Sequence, residues 1–399
     1  MENSGLLIKP LAENKKIIPI YFKTDEIWHT NIKMPDIVVS NNSNDVVEVK
    51  EINLSGFAGG KNVVIFRNYE EQITHMITEA NQLLNKYLQK PENQWRAYNL
   101  HIMFGEVPCT QDLYEETNQL KPNSMTCFRL HDLFCFHYAG VEKIDEIICQ
   151  VKLSSETNEI VIESPISLTP YKCKGDYIFP IRGSATILGT PWNQVDGHRG
   201  ATSQEFAFDI ADFRRDEAGE FVLSSPANSS KVDDYFIFER EVLAVGDGTI
   251  VAAGNQWPNE WVKNPLEYSV ERIVELTQNL LKEGVDFNHA ILGNYVIIDH
   301  NNGEFSLYGH MSEGTLTVEV GDAVKQGQVI GRVGNTSNSE GPHLHFHLMD
   351  SKDFQTGNGL PVMFKNLPAG QAPFCDFDDS NSLLYSDYLF ATIPELLYS

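Results

Sequence analysis

The chain has 399 residues, 42% of them hydrophobic, with 30 Lys and Arg against 55 Asp and Glu and a formal net charge of −25. It can bury large cores in two or three domains, and it is too apolar and aromatic for a disordered chain. The acidic excess excludes nucleic-acid binding through a general basic field, and no apolar run reaches the ~18 residues of a membrane span.

The amino terminus, MENSGLLIKPLAENKK, has no apolar run after its charged start, so no signal peptide is visible. A cytoplasmic or non-classically exported protein is the expectation. Residues 1–17 read as a polar lead-in. From about 18 to 65 come short β-branched runs at Ile37–Val39, Val46–Val49 and Val63–Ile65, separated by turn formers at 40–45 and 56–60. The period then changes. Ile73, Met76, Ile77, Ala80, Leu83, Leu84, Tyr87 and Leu88 follow a 3.6-residue repeat, which predicts a helix over 68–90 ended by Pro91. Alternation returns at Ile147, Cys149, Val151 and Leu153. Residues 18–175 therefore read as a β-sandwich with one inserted helix, an immunoglobulin-like sandwich being the nearest analogy.

The cysteines, Cys109, Cys127, Cys135, Cys149, Cys173 and Cys375, form no C-x-x-C pair. They read as reduced, mostly buried thiols, with disulfides as the alternative in an exported protein. The proline-bearing stretch 164–180 marks a domain boundary near 175. A second β-rich domain is expected over 176–365, with insertions at 211–234 and 255–290. The second insertion carries a predicted helix from about Ser269 to Lys282. An acidic extension, 366–399, is expected to pack back on the body through its Leu and Tyr residues. No Walker loop, G-x-G-x-x-G, G-x-S-x-G or H-E-x-x-H is present.

Twelve histidines are present. His29, His75, His101, His131, His137 and His289 have no ligand-type neighbour at a useful spacing and read as ordinary side chains. The run Gly341-Pro342-His343-Leu344-His345-Phe346-His347-Leu348 differs. On a strand, alternate residues share a face, so His343, His345 and His347 stand together while Leu344, Phe346 and Leu348 face a core. Imidazoles about 6–7 Å apart along a strand are not easily both direct ligands. One ligand and one neighbour acting on a metal-bound water fits better. Upstream, Phe206-Ala207-Phe208-Asp209-Ile210 alternates, which aims Asp209 away from its Phe neighbours, and His198 lies in a Gly-rich loop before it. A carboxylate with two imidazoles is a usual zinc set with a fourth position open.

These pieces, in order, resemble the M23 family of zinc metallopeptidases, of the lysostaphin and LytM type. The matching stretches are His198 with Asp209, Val245–Val251, Gly293–His300, Tyr308-Gly309-His310-Met311, Val320–Gly331 and Gly341–Phe346. The resemblance covers about 177–365. It implies antiparallel sheets around a narrow groove, one zinc ion held by His198, Asp209 and His345, and His310 and His343 as catalytic residues. It implies hydrolysis of peptide bonds in bacterial cell-wall cross-links, so a peptide partner, peptidoglycan, is expected. A zinc-bound water would have its pKa lowered to about 7. A catalytically silent binding module and a peptidase acting on a non-wall peptide are the rival readings.

Two features depart from the family pattern. The family's first motif spaces its His and Asp by three residues, whereas ten lie between His198 and Asp209. Asp212 and then Asp196 are the other carboxylates weighed. His347 stands where Glu is frequent, and it reads as a polar strand residue, with a place behind a ligand as the alternative. Thr315–Gly331 also resembles half of a lipoyl or biotinyl carrier, but the attachment-lysine tripeptide is missing.

Overall fold

In the computed structural model, residues 5–365 are described apart from 13–14, 25, 90–112, 130–134, 157, 184, 190–197, 199–201 and 260–276. The chain divides into two compact units, one up to Tyr171 and one from Lys172. Both are mostly β.

The first unit holds β1 (Leu6–Pro10), β2 (Ile20–Thr24), β3 (Ile27–Lys33), β4 (Ile37–Asn41), β5 (Val47–Ala58), β6 (Lys61–Asn68), α1 (Glu70–Leu88), β7 (Gln119–Leu120), β8 (Ser124–Phe128), β9 (Cys135–Gly140), β10 (Ile144–Ser154) and β11 (Glu159–Ile166). They form three antiparallel sheets, ordered β1-β4-β8, β11-β10-β5-β6 and β2-β3-β9. The third sheet distinguishes the unit from a simple two-sheet sandwich. The predicted alternation is realised on β10, where Ile147, Cys149, Val151 and Leu153 are all fully buried. They share a core with Val49, Ile52 and Leu54 of β5 and with Ile73 and Ile77 of α1.

Helix α1 lies within the predicted span and buries the predicted stripe, but two buried residues interrupt that stripe with polar groups, Asn81 and Asn85. Each side-chain amide pairs with backbone groups of a neighbouring segment. Asn81 accepts from Cys127 N–H at 3.0 Å and donates to the Thr126 hydroxyl at 2.7 Å. Asn85 accepts from Tyr114 N–H at 2.8 Å and donates to Tyr114 C=O at 2.7 Å. Buried backbone groups require such partners, so the helix is docked by hydrogen bonds as well as by its apolar face.

The second unit holds β12 (Thr186–Gly189), β13 (Phe208–Ala211), β14 (Arg214–Arg215), β15 (Phe221–Val222), β16 (Glu241–Leu243), β17 (Gly248–Gly254), α2 (Phe287–Leu292), β18 (Asn294–Asp299), β19 (Phe305–Met311), β20 (Ala323–Val324), β21 (Val329–Arg332), β22 (Leu344–Met349) and β23 (Gly359–Leu360). Its main antiparallel sheet has the order β12-β13-β22-β19-β18-β17-β20, with β23 on β22. The strand expected over 206–210 begins at Phe208. Phe206 and Ala207 lie in the preceding turn, yet both are fully buried. The turn packs on the sheet through the Gly359 N–H bond to Thr202 C=O. Of the helix expected at 269–282, residues 277–282 are described and helical. The extension 366–399 and Asp196 lie outside the described residues.

A buried carboxylate ties the start of this unit to its sheet. Glu304, fully buried before β19, accepts from Lys174 N–H at 2.7 Å, Gly175 N–H at 2.9 Å, Tyr177 O–H at 2.6 Å and Asn302 at 2.8 Å. Four donors on one ionised group make charge-assisted bonds that offset its desolvation.

Candidate metal and catalytic centre

The centre is built on neighbouring strands. Asp209 of β13 stands directly opposite His345 of β22, and Gly309 of β19 stands opposite His345 on the other side. Strand register alone therefore places a carboxylate, an imidazole and the backbone leading to His310 side by side. His345 Nδ1 is 3.1 Å from Asp209 Oδ1, and His198 Nε2 is 3.4 Å from Asp209 Oδ2. One donor atom each from His198, Asp209 and His345 lies within 4.8 Å of the others.

His343 and His310 flank this group. His343 Nε2 is 3.6 Å from Asp209 Oδ1. The His310 ring is 4.8 Å from that of His343 and 6.0 Å from that of His345, between centroids. All five predicted site residues are thus gathered. Asp212 is not among them: its buried carboxylate accepts from Arg214 at 2.9 Å and pairs with Arg240 at 3.4 Å. Asp212 follows the last residue of β13, and its carboxylate is taken up by these two guanidinium groups.

Backbone carbonyls of the segment between β21 and β22 orient both flanking rings. His310 Nδ1 donates to Thr336 C=O at 2.9 Å, and His343 Nδ1 donates to Gly341 C=O at 2.8 Å. A carbonyl only accepts, so each Nδ1 carries the proton and a neutral ring has its lone pair on Nε2. The Ser339 hydroxyl lies 3.2 Å from His343 Nδ1. His310 itself has φ 59°, a left-handed conformation that is uncommon for a side chain with a Cβ. It coincides with an irregularity in the β18–β19 register, and such bulges re-aim side chains beside functional sites. Close by, Gly293 has φ 63°, and a Cβ there would lie 2.2 Å from Thr336 Oγ1. A glycine at this position lets the Thr336 segment approach closely enough to hold His310. The Thr336 hydroxyl in turn accepts from Asn294 N–H at 3.0 Å and donates to Met311 C=O at 3.1 Å. Sequence reasoning missed this clamp. Its signal was the turn-rich run Gly334–Pro342, which names a loop but not the partners of its carbonyls.

The electrostatics suit a cation. Burial alone would raise the Asp209 carboxyl, but His198 and His343 and the His345 hydrogen bond outweigh it and hold the group well below the usual carboxylate range. Burial lowers His345, and burial with the neighbouring His343 and His345 lowers His310 further. A carboxylate held ionised beside a His345 ring pushed toward its neutral form suits metal ligation. Two nitrogens and one oxygen at this separation fit zinc with an open position.

His347, expected as a polar strand residue, lies on β22. It is fully buried, and its Nδ1 lies 3.0 Å from His345 Nε2. The face shared with Leu344, Phe346 and Leu348 is buried as well, so β22 is covered on both sides.

Residues 280–358 match the family described as peptidase family M23, and the second unit carries an M23 peptidase domain there. The peptidoglycan DD-endopeptidase ShyA of Vibrio cholerae is 45% identical over 81 residues, 20% of this chain and 17% of ShyA. The DD-carboxypeptidase/endopeptidase Mpg of Neisseria meningitidis is 48% identical over 54 residues, 14% of this chain and 12% of Mpg. The chain thus spans less than a fifth of the length of these relatives. Among solved structures, lysostaphin from Staphylococcus simulans is 27% identical, covering 31% of this chain and 38% of lysostaphin, with a TM-score of 0.20.

Proposed function

We propose that this chain is a zinc endopeptidase that hydrolyses peptide bonds in peptidoglycan cross-links or stem peptides. The observation that carries the proposal is the convergence of His198, Asp209 and His345 donor atoms within 4.8 Å, with two oriented imidazoles beside them, in a peptidase domain. His198, Asp209 and His345 hold the metal. Zinc supplies Lewis acidity there, polarising a carbonyl and acidifying a water.

The remaining chemistry belongs to the flanking histidines. His310 is buried, held neutral and fixed with its proton on Nδ1 by Thr336 C=O, so its Nε2 accepts a proton from the attacking water and returns it to the leaving amine. His343, oriented by Gly341 C=O, faces the same space and stabilises the oxyanion. The peptidoglycan relatives support the wall polymer as substrate. The net charge of −25 favours a second substrate, a peptide outside the anionic wall, because like charges repel.

The test is mass spectrometry of purified peptidoglycan incubated with the full chain and with His343→Ala. New amino termini produced by the intact chain alone are expected. Cleavage of short free peptides without cleavage of any wall preparation would move the reading to the second substrate. Tight binding without cleavage of either would overturn the enzyme reading.

A further inference from the structure

The contact between His345 and His347 holds a choice that bears on metal binding. The two rings meet edge to face, with centroids 5.2 Å apart and planes at 77°. His345 Nε2 and His347 Nδ1 are 3.0 Å apart, a hydrogen-bond distance between two nitrogens that share one proton. If His347 donates, neutral His345 carries its own proton on Nδ1, directed at Asp209 Oδ1 3.1 Å away. That nitrogen then cannot ligate a cation. If His345 donates, its Nδ1 lone pair stands beside the Asp209 carboxylate and the His198 ring. The two states differ by the position of protons within a buried pair.

We infer that His347 is a positioning residue for the metal centre: it accepts the Nε2 proton of His345 and so presents the His345 Nδ1 lone pair to the cation. The inference rests on the zinc reading above. Imidazole ligands ordinarily donate their second N–H to an outer partner that fixes tautomer and ring orientation, and losing such a partner costs roughly 10–100-fold in metal affinity. On this strand the partner is supplied two residues along, on the same face. The fit is specific. His347 has no exposed surface, Leu307 stands opposite it on β19, and the Phe354 ring is 5.8 Å from its own. These neighbours restrain the ring and with it Nδ1. An imidazole nitrogen with a free lone pair can accept the hydrogen bond of the Nε2 proton and so set the tautomer of His345.

The experiment measures zinc affinity of the full chain by competition with a fluorescent chelator, for the wild type, His347→Phe, His347→Leu and His347→Asn. Phe and Leu keep apolar packing and remove the acceptor, whereas the Asn amide oxygen restores an acceptor near the Nδ1 position. The expected result is affinity weakened by about 10–100-fold in Phe and Leu and within about threefold of wild type in Asn. Melting temperatures of the zinc-free proteins supply the second readout. A merely structural residue would lower them in step with the loss of affinity, whereas the positioning role predicts that zinc-free Phe and Asn melt alike and differ in zinc affinity. Undiminished zinc binding in both acceptor-free variants would overturn the inference, as would an Asn variant as weak as Leu. No zinc binding by the wild-type chain would instead sink the metal reading on which the inference stands.

Discussion

Asp209 and Asp212 are three residues apart and both buried or nearly so, yet they serve different partners. Asp209 faces three imidazoles and Asp212 faces two guanidinium groups. Asp209→Asn should therefore abolish zinc binding while the protein still folds. Asp212→Asn should keep zinc and lose roughly 1–3 kcal/mol of stability, because Arg240 is left with a weakened partner. Metal analysis and urea melts of the two variants check this, and the reverse pattern would reassign the carboxylate. His310→Ala and His343→Ala should each retain zinc and lose about 10²–10⁴-fold in turnover, the usual contribution of acid–base groups. The thiols make a contrast with these reactive groups. Burial pushes Cys149 up to about 12 and Cys173 up to about 11, so both should alkylate slowly in the native chain.

Within the elements, the periodicities carried most of the information. Helix α1 and strand β10 bury the residues their 3.6- and 2-residue repeats select, because each sits against one core. The repeat was silent about Asn81 and Asn85, since hydropathy treats a buried amide as an error unless its backbone partners are known. Asn81→Ala should cost roughly 1–3 kcal/mol by leaving Cys127 N–H unpaired, whereas the exposed Gln72→Ala on the same helix should be near neutral. A second buried network has a pH consequence. His300 Nδ1 donates to Asp247 C=O at 2.9 Å, and its Nε2 lies 2.8 Å from the Ser306 hydroxyl, itself 3.2 Å from the Tyr308 hydroxyl. Tyr308 accepts from Val245 N–H. The Ser306 hydroxyl donates to that of Tyr308. Burial lowers His300 below its ordinary 6.5. As pH falls through 6.5 the unfolded chain takes a proton that the native ring refuses, so this contribution to stability is present above that pH and lost below it. His300→Gln should flatten the acid side of the stability profile measured between about pH 7 and pH 5. An unchanged slope would remove His300 as its source.

At the scale of the whole molecule, the chain divides between Tyr171 and Lys172, within the proline-bearing stretch 164–180, but the role of Lys174 and Gly175 was not legible in the sequence. Lys174 and Gly175 donate to Glu304 across about 130 residues of sequence, a distance at which local pattern carries no signal. A fragment starting at Lys172 should fold and hold zinc by itself. One starting at Asp176 loses two donors to a buried carboxylate and should melt several degrees lower, since ~1 kcal/mol shifts a domain of this size by about 2–4 °C. Differential scanning of the two fragments checks this, and equal melting temperatures would discount the Glu304 tie. The site was legible for a related reason: three of its five histidine and aspartate members sit in short, dense motifs, His343 and His345 together and His310 in Tyr308–Met311. His198 and Asp209 lie outside the matched span of 280–358, because turns and insertions separate them from it.

Asp209 meets His345 through paired strands, and that pairing is independent of how much chain runs between His198 and Asp209. The connection is therefore open to drift in length, with closure entropy rising by only about 0.6 kcal/mol for each doubling. Lengthening or shortening that stretch should leave Asp209 and His345 paired. The strand partner of the carboxylate, and not its distance in sequence from the first histidine, is then the constant by which this pair is recognised.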